Sequence, residues 1–174
     1  MRIIGGTHRS RFITFPDAAG LRPTPDRVRE TLFNWLGQTL HGKRCLDLFA
    51  GSGALGFEAA SRGAAQVVMV EQNPVVFRAL QDNARKLAFD AVALYCADGL
   101  KFSARTGLTF DVILLDPPFR SDHWSALLPQ VGRLLAPDGV VYVESGQPLM
   151  VGEGWQVLKQ GRAGAVHYQL LRRA

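Results

Sequence analysis

The segment Leu114-Leu115-Asp116-Pro117-Pro118-Phe119-Arg120 sets a carboxylate, two imino acids and an aromatic ring directly after an apolar run. Consecutive prolines donate no N–H and hold φ near about −65°, so the chain must leave any sheet ladder as a stiff turn with free carbonyls. An exocyclic amino group on a purine is a weak nucleophile, because its lone pair is delocalised into the ring. The Asp116 carboxylate and the Pro117 carbonyl can accept its two hydrogens and favour a more pyramidal nitrogen, while Phe119 stacks on the base. That nitrogen can then be aimed in line at a sulfonium methyl, with catalysis resting on positioning and electrostatics and needing no metal. The plainer account is a buried strand end, an ordinary Pro-Pro turn and a core Phe.

A second group of residues can hold a nucleoside-type ligand. Gly51-Ser52-Gly53-Ala54-Leu55-Gly56 is a literal G-x-G-x-x-G after the apolar run Cys45 to Phe49. Its glycines permit a tight turn and close approach of a ligand to the backbone at a helix N-terminus. Glu71 follows twenty residues after Gly51, where an acid can accept from ribose hydroxyls. This much fits a nicotinamide dinucleotide as well as S-adenosylmethionine. Asp47, just before the loop, favours the latter: it can reach an α-ammonium but would repel a pyrophosphate. Asp47 could instead cap the loop backbone. Asp98, in Ala97-Asp98-Gly99, can accept from an adenine amino group, a role compatible with capping a helix. Phe49, Ser52, Gln72 and Gly99 flank these positions and are assigned to the same cofactor site.

The elements that must position these groups follow an alternating rhythm. Strands are predicted at Cys45 to Phe49, Val67 to Val70, Ala91 to Cys96, Val112 to Leu115 and Val140 to Val143. Helices are predicted from Ala54 to Ser61 and from Pro74 to Leu87, the latter capped by Asn73. Another should run from His123 to Leu135, with Pro129 expected to kink or split it. Thr24 is expected to cap a helix beginning at Pro25 and burying Val28, Leu32, Trp35 and Leu36. Pro137-Asp138-Gly139 reads as a turn. Trp155 to Lys159 and Val166 to Leu171 read as a closing antiparallel pair joined through Gly161 and Gly164. The pattern implies a Rossmann-like, doubly wound α/β domain: a seven-stranded, mostly parallel sheet with an antiparallel last strand. That domain is assigned to residues 22–174. Residues 1–21 form a short basic arm or hairpin, with Ile3-Ile4 and Phe12-Ile13 as its small strands.

Composition narrows the partners. The chain has 174 residues, 47% of them apolar, and a formal charge of +5. That is room for one domain and none for a second nucleotide-binding half plus a substrate domain. No run of about 18 apolar residues is present, so no membrane partner is expected. The N-terminus has no apolar signal region, and Cys45 and Cys96 cannot build a disulfide framework or a four-cysteine metal site, which points to reducing cytosol. Residues 1–44 hold eight basic and three acidic residues and carry the whole positive excess. A polyanion-binding arm on a neutral body follows. Arg2, Arg9, Arg11 and Arg120 are its candidate contacts, with His8 a weaker one.

Taken together, these motifs resemble the bacterial small-subunit ribosomal RNA guanine-N2 methyltransferase family, the RsmD type. The resemblance spans Arg2-Ile3-Ile4-Gly5-Gly6, the stretch from Gly20-Leu21-Arg22-Pro23-Thr24-Pro25 to Arg27-Val28-Arg29-Glu30, the Asp47 to Gly56 loop, Asp116-Pro117-Pro118-Phe119 and Tyr142-Val143-Glu144. It implies a class I methyltransferase that moves a methyl group from S-adenosylmethionine, leaving S-adenosylhomocysteine, to N2 of one guanine, guanine 966, of 16S ribosomal RNA. By matching position, Asp47, Gly51, Gly53, Glu71 and Asp98 would bind the cofactor, with Thr24 near its methionine end. Asp116 to Phe119 would hold the guanine. The implied partner is 16S ribosomal RNA within a small-subunit particle, met by a cytoplasmic monomer. The chain departs from the family at Thr7-His8-Arg9-Ser10-Arg11, where Arg-Gly-Arg is frequent, and at Gln72-Asn73, where a further Asp is common. Other readings are methylation of adenine N6 or of a glutamine amide, a nicotinamide oxidoreductase, and a non-catalytic RNA-binding relative. Methylation of adenine N6 or a glutamine amide more often begins the Pro-Pro step with Asn.

Overall fold

The computed structural model describes residues 1–18, 21, 23–118 and 123–174. Along the chain lie α1 (Asp26–Leu36), β1 (Arg44–Asp47), α2 (Ala54–Ser61), β2 (Gln66–Glu71), α3 (Pro74–Lys86) and β3 (Val92–Cys96). Then follow α4 (Gly99–Arg105), β4 (Phe110–Leu115), α5 (Trp124–Arg133), β5 (Leu135–Ser145), β6 (Trp155–Ala163) and β7 (Val166–Arg173). The seven strands form one sheet in the order β3-β2-β1-β4-β5-β7-β6. β1 to β5 pair in parallel and β7 runs antiparallel between β5 and β6. The order reverses between β1 and β4, and ligands of doubly wound sheets bind beyond the carboxyl ends of strands at such a point. Among the described residues, no helix is long and apolar enough to cross a membrane.

Strand periodicity sorts the core into two layers. Cys45, Val67, Met69, Val112, Leu114 and Tyr142 face α1, α2 and α3, where Val28, Leu32, Phe33, Phe57 and Leu80 meet them. Leu46, Val68, Val70, Ile113, Leu115 and Val143 face the other way, against Leu127, Val131 and Leu134. Covered on both sides, these strands are apolar at nearly every position, as parallel strands must be. Asn73 Oδ1 accepts from the Val75 and Val76 N–H groups and so caps α3 as its sequence predicts.

The N-terminal hairpin packs into the first layer. Arg2 and Phe12 form its bridge, and Ile3 and Ile13 are buried with the α2 residues. It covers the outer face of α2, so all eight residues of that helix are buried. Glu58 of α2 is 0% exposed and accepts from the backbone N–H groups of Ile4 and Gly5, each at 2.9 Å. Arg29 and Arg62 complete its coordination at 3.3 and 2.9 Å. Arg29 also donates to the carbonyls of Arg2 and Thr24 and to Asp26.

Four local expectations need correction. Pro25, not Thr24, holds the N-cap position of α1, and no side chain caps that helix. α5 runs unbroken through Pro129, because Trp124, Leu127, Leu128 and Val131 are buried on both sides of it. At about 1.5–3 kcal/mol per buried side chain, that stripe outweighs a proline cost of about 3 kcal/mol. Pro137-Asp138-Gly139 does not end a strand: it is an excursion inside β5, where pairing jumps from Phe110–Leu135 to Val112–Val140. Asp138 takes a φ of 64° to make it. Gly161 lies within β6 rather than in the turn, opposite Tyr168. A Cβ there would stand 2.6 Å from the Tyr168 ring, so glycine is required by close approach.

Candidate active site

A cavity of about 630 Å³ opens at the switch point, within the range of small-molecule sites. It is lined from β1 and its loop by Asp47, Phe49, Gly51 and Ser52, from β2 by Glu71 and Gln72, and after β3 by Asp98 and Gly99. Asp116, Pro117 and Pro118 line it after β4, and Thr24 enters from the segment before α1. The structure thus brings the expected cofactor residues and the Pro-Pro step to one cavity, with one exception. Gly53 stays outside the lining. Its φ is 87°, and a Cβ would stand 2.4 Å from the Phe57 ring, so Gly53 shapes the loop from behind. Phe119 and Arg120 lie outside the described residues.

The loop is held by acids. Glu71 accepts from the N–H of Gly51 at 3.0 Å through one oxygen and from that of Asn73 at 2.8 Å through the other. Asp47 is 2% exposed and accepts from the Gly56 N–H at 3.0 Å, in the first turn of α2. It therefore caps the loop backbone and also faces the cavity. Burial pushes the Asp47 carboxyl up to about 7, against the Gly56 hydrogen bond and with help from Glu71 and Glu144. Asp98 accepts from the Lys101 N–H at 3.1 Å and caps α4, still facing the cavity.

Glu144, at the end of β5, also lines the cavity, and the sequence reading gave it no role. Its Oε1 accepts from Thr24 Oγ1 at 3.1 Å and from the Tyr142 hydroxyl at 2.8 Å. This bond takes the Thr24 hydroxyl away from helix capping. Asp116 and Glu144 line the same cavity. Desolvation first, then the charges of Glu144 and Asp47, hold the Asp116 carboxyl well above its ordinary value. Burial likewise raises Glu144, opposed by the donors Tyr142 and Thr24. A signal for Glu144 was present: β1, β2, β4 and β5 each carry an acid at, or within one residue of, the carboxyl end, and each of these acids lines the cavity.

Five carboxyl groups (Asp47, Glu71, Asp98, Asp116 and Glu144) line the cavity, and among the described residues no Lys, Arg or His does. Such a lining attracts a cation and repels a pyrophosphate, which argues against the nicotinamide reading. An aminoacyl sulfonium nucleoside fits it: a positive sulfur, an ammonium, and hydroxyl and amino donors for Glu71 and Asp98.

The basic segment is elsewhere. Arg2, Arg9 and Arg11 are exposed on the hairpin. The hairpin's tip is tied to the far end of α2, where the Thr7 N–H donates to the Ser61 carbonyl at 2.7 Å. α2 has eight residues, so that tip lies about 12 Å along the helix from the glycine loop. The chain then returns, and Ala18 and Leu21 line the cavity. The His8 ring is committed to the Leu87 carbonyl at 2.7 Å and packs on Phe89.

A seven-stranded sheet with an antiparallel β7, and a cofactor-sized cavity where β1 and β4 part, define the Rossmann-like class I methyltransferase fold. The family model described as "conserved hypothetical protein 95" matches residues 1–172. Ribosomal RNA small subunit methyltransferase D of Escherichia coli K12 is 41% identical, over 99% of this chain and 90% of its own length. The protein of that name from Haemophilus influenzae is 39% identical, over 98% and 92%. The solved structure of yhhF from Escherichia coli, provisionally named a methyltransferase, superposes with a TM-score of 0.86 at 40% identity, covering 99% and 97% of the two chains. A provisionally named methylase from Haemophilus influenzae gives 0.82 at 36% identity, covering 99% and 97%. The chain belongs to this family, the RsmD family of ribosomal RNA methyltransferases.

Proposed function

We propose that this protein transfers a methyl group from S-adenosylmethionine to the exocyclic N2 of a guanine in 16S ribosomal RNA, guanine 966 in the family's substrate. The observation that carries the reading is a cavity whose charged lining, among the described residues, is entirely acidic and which ends at Asp116-Pro117-Pro118. When bound there, the cofactor supplies an electrophilic methyl on a positive sulfur. The protein's residues do the rest. Asp47 faces the ammonium, Glu71 the ribose hydroxyls and Asp98 the adenine amine. Asp116 and the Pro117 carbonyl accept from the guanine amine and orient its lone pair, and Phe119 stacks on the base.

A guanine paired in a helix presents N2 in the minor groove and must be extruded to enter, whereas a loop base is cheaper to capture. Arg2, Arg9 and Arg11 lie on a segment that leads from the far end of α2 to the cavity rim. They suit phosphates of a strand whose base enters the pocket, and they position it without reading its sequence. Arg120, beside the Pro-Pro step, serves the same strand. The enzyme acts as a cytoplasmic monomer on a small-subunit particle, and the hairpin of residues 1–21 serves as its RNA-contact module. The test is a tritiated-methyl assay on ribosomal RNA and on subunit particles from cells lacking this protein, followed by mapping of the label. Label on a single guanine N2 is expected; label on an adenine, or none on either substrate, overturns the reading.

A further inference from the structure

Glu144 has no part in the reading above, yet it lies on the substrate side of the cavity. The cofactor residues stand on or after β1, β2 and β3, and the Pro-Pro step follows β4. In the sheet, β5 and β7 continue beyond β4 on the side away from those three strands. Among the described residues, the lining that these two strands contribute is Glu144 and Val166. A base whose amine meets Asp116 therefore finds an acid on its side away from the cofactor.

That acid is held still. Its Oε1 accepts from the Thr24 hydroxyl at 3.1 Å and from the Tyr142 hydroxyl at 2.8 Å. Thr24 comes from the segment before α1 and Tyr142 from β5 itself, so the carboxyl is fixed from two directions, and neither hydroxyl takes Oε2. All three residues are buried, Glu144 at 7% exposure. Register sets Glu144 beside the Pro-Pro step. Leu114 pairs with Tyr142 and Leu115 with Val143, so Asp116 and Glu144 come next on neighbouring parallel strands, which lie about 4.8 Å apart.

We propose that Glu144 is the residue that selects guanine: its Oε2 accepts the ring N1–H while Asp116 and the Pro117 carbonyl hold the exocyclic amine. This rests on the methyl-transfer reading and adds to it the cause of the base choice. On the edge of guanine, N1–H and the 2-amine are adjacent donors, and acceptors at two neighbouring strand ends match them. Adenine instead presents a ring nitrogen lone pair beside its amine. Set against a buried carboxylate, that lone pair leaves two acceptors with no hydrogen between them, which is how a site rejects an analogue lacking a donor. The Tyr142 and Thr24 hydroxyls favour the ionised, accepting form of Glu144, and a positive cofactor in the same cavity does so too.

The experiment replaces the guanine that takes the label with 2-aminopurine, which keeps the 2-amine but carries a lone pair at N1. Methyl transfer to both RNAs is measured as kcat/KM for wild type and Glu144→Gln, with S-adenosylhomocysteine affinity measured beside it. Gln keeps an oxygen for Thr24 and Tyr142 and puts an N–H donor in place of Oε2. Intrinsic reactivity of the two bases cancels when the proteins are compared. In Glu144→Gln the preference for guanine over 2-aminopurine is expected to fall about 10–100-fold, because the amide N–H suits the N1 lone pair. S-adenosylhomocysteine affinity should be little changed. A merely structural Glu144 would slow both RNAs alike, and an unmoved ratio overturns the proposal. Should Glu144→Gln fail to fold, Tyr142→Phe decides the matter: it keeps the acid but frees its plane, and the ratio should fall about threefold, with a wild-type ratio again overturning the proposal. Wild-type protein that leaves guanine N2 of the unmodified RNA unlabelled removes the methyl-transfer reading itself, whereas guanine labelling with an unmoved ratio removes only the part given to Glu144.

Discussion

Glu58 beneath the N-terminal hairpin and the Asp47–Asp116–Glu144 group at the cavity are both withdrawn from water, but among the described residues only Glu58 is met by cations. Its two oxygens take Arg29, Arg62 and two backbone N–H groups, and its fully buried environment is closed. The cavity acids have two hydroxyls and one backbone N–H, and they open to a space large enough for a ligand. A buried charge that is paired holds structure together, and removing one partner strands the other. Like charges gathered without a counterion lie uphill until a positive ligand arrives, which is how a binding site is recognised. The same residue type thus fastens the hairpin at one end of α2 and lines an open cavity at the other.

The sharpest way to break that contrast is to delete one acid from each region. Asp116→Ala should reduce methyl transfer by about 10²–10³-fold or more, as loss of a preorganised partner does. Affinity for S-adenosylhomocysteine should stay nearly unchanged, and folding stability should hold or rise because a like-charged neighbour is gone. Single-turnover rates, calorimetric binding and urea unfolding on one preparation check all three, and wild-type turnover would remove Asp116 from the reaction. Glu58→Ala should do the opposite. Stability falls by about 3–5 kcal/mol, because Arg29 is left buried without its carboxylate. A loss under about 1 kcal/mol in urea unfolding, the range of exposed pairs, would mean the contrast is false.

How far the sequence disclosed these two regions differs for a physical reason. The parallel strands were legible because burial on both faces forces apolar runs, and the glycine loop and Pro-Pro step because backbone geometry restricts them to few residue types. Asp47, Glu71, Asp98 and Asp116 could be assigned to the cavity since each lies at, or within two residues of, the carboxyl end of such a strand. Glu144 lies at one too, but its role depends on Thr24, which lies 120 residues away in sequence. The Glu58 cluster was illegible for the same cause: Glu58 lies on a helix of its own, and its partners come from the hairpin and α1. The unbroken helix through Pro129 and the excursion at Asp138 reflect tertiary burial overriding local preference, which no local pattern announces.

Asp47 allows a subtler test of the cavity's stored repulsion. Its carboxyl titrates near 7 in the fold against an ordinary 3.8. Between those values the folded state keeps a proton that the unfolded chain has lost, so stability should fall as pH rises from about 4 to about 7 and level off above. Asp47→Asn still accepts from Gly56 and should flatten that part of the curve in urea unfolding followed across the same range. A slope equal to wild type would show that Asp47 is ionised throughout. S-adenosylhomocysteine carries an ammonium, favours the ionised form, and should release a proton on binding near pH 6 in wild type but not in the variant.

The smallest effect is expected outside both regions, on the exposed face of the hairpin. Arg9 and Arg11 are exposed there, so replacing both with Ala should leave stability within about 0.5 kcal/mol. If they meet phosphates, each contributes about one released counterion, and the slope of log affinity for ribosomal RNA against log salt should become shallower by about 2. S-adenosylhomocysteine affinity should not change, since the hairpin tip lies a helix length from the glycine loop. An unchanged salt slope with unchanged affinity would confine the hairpin to covering α2 and would leave the RNA to be held by residues nearer the cavity rim.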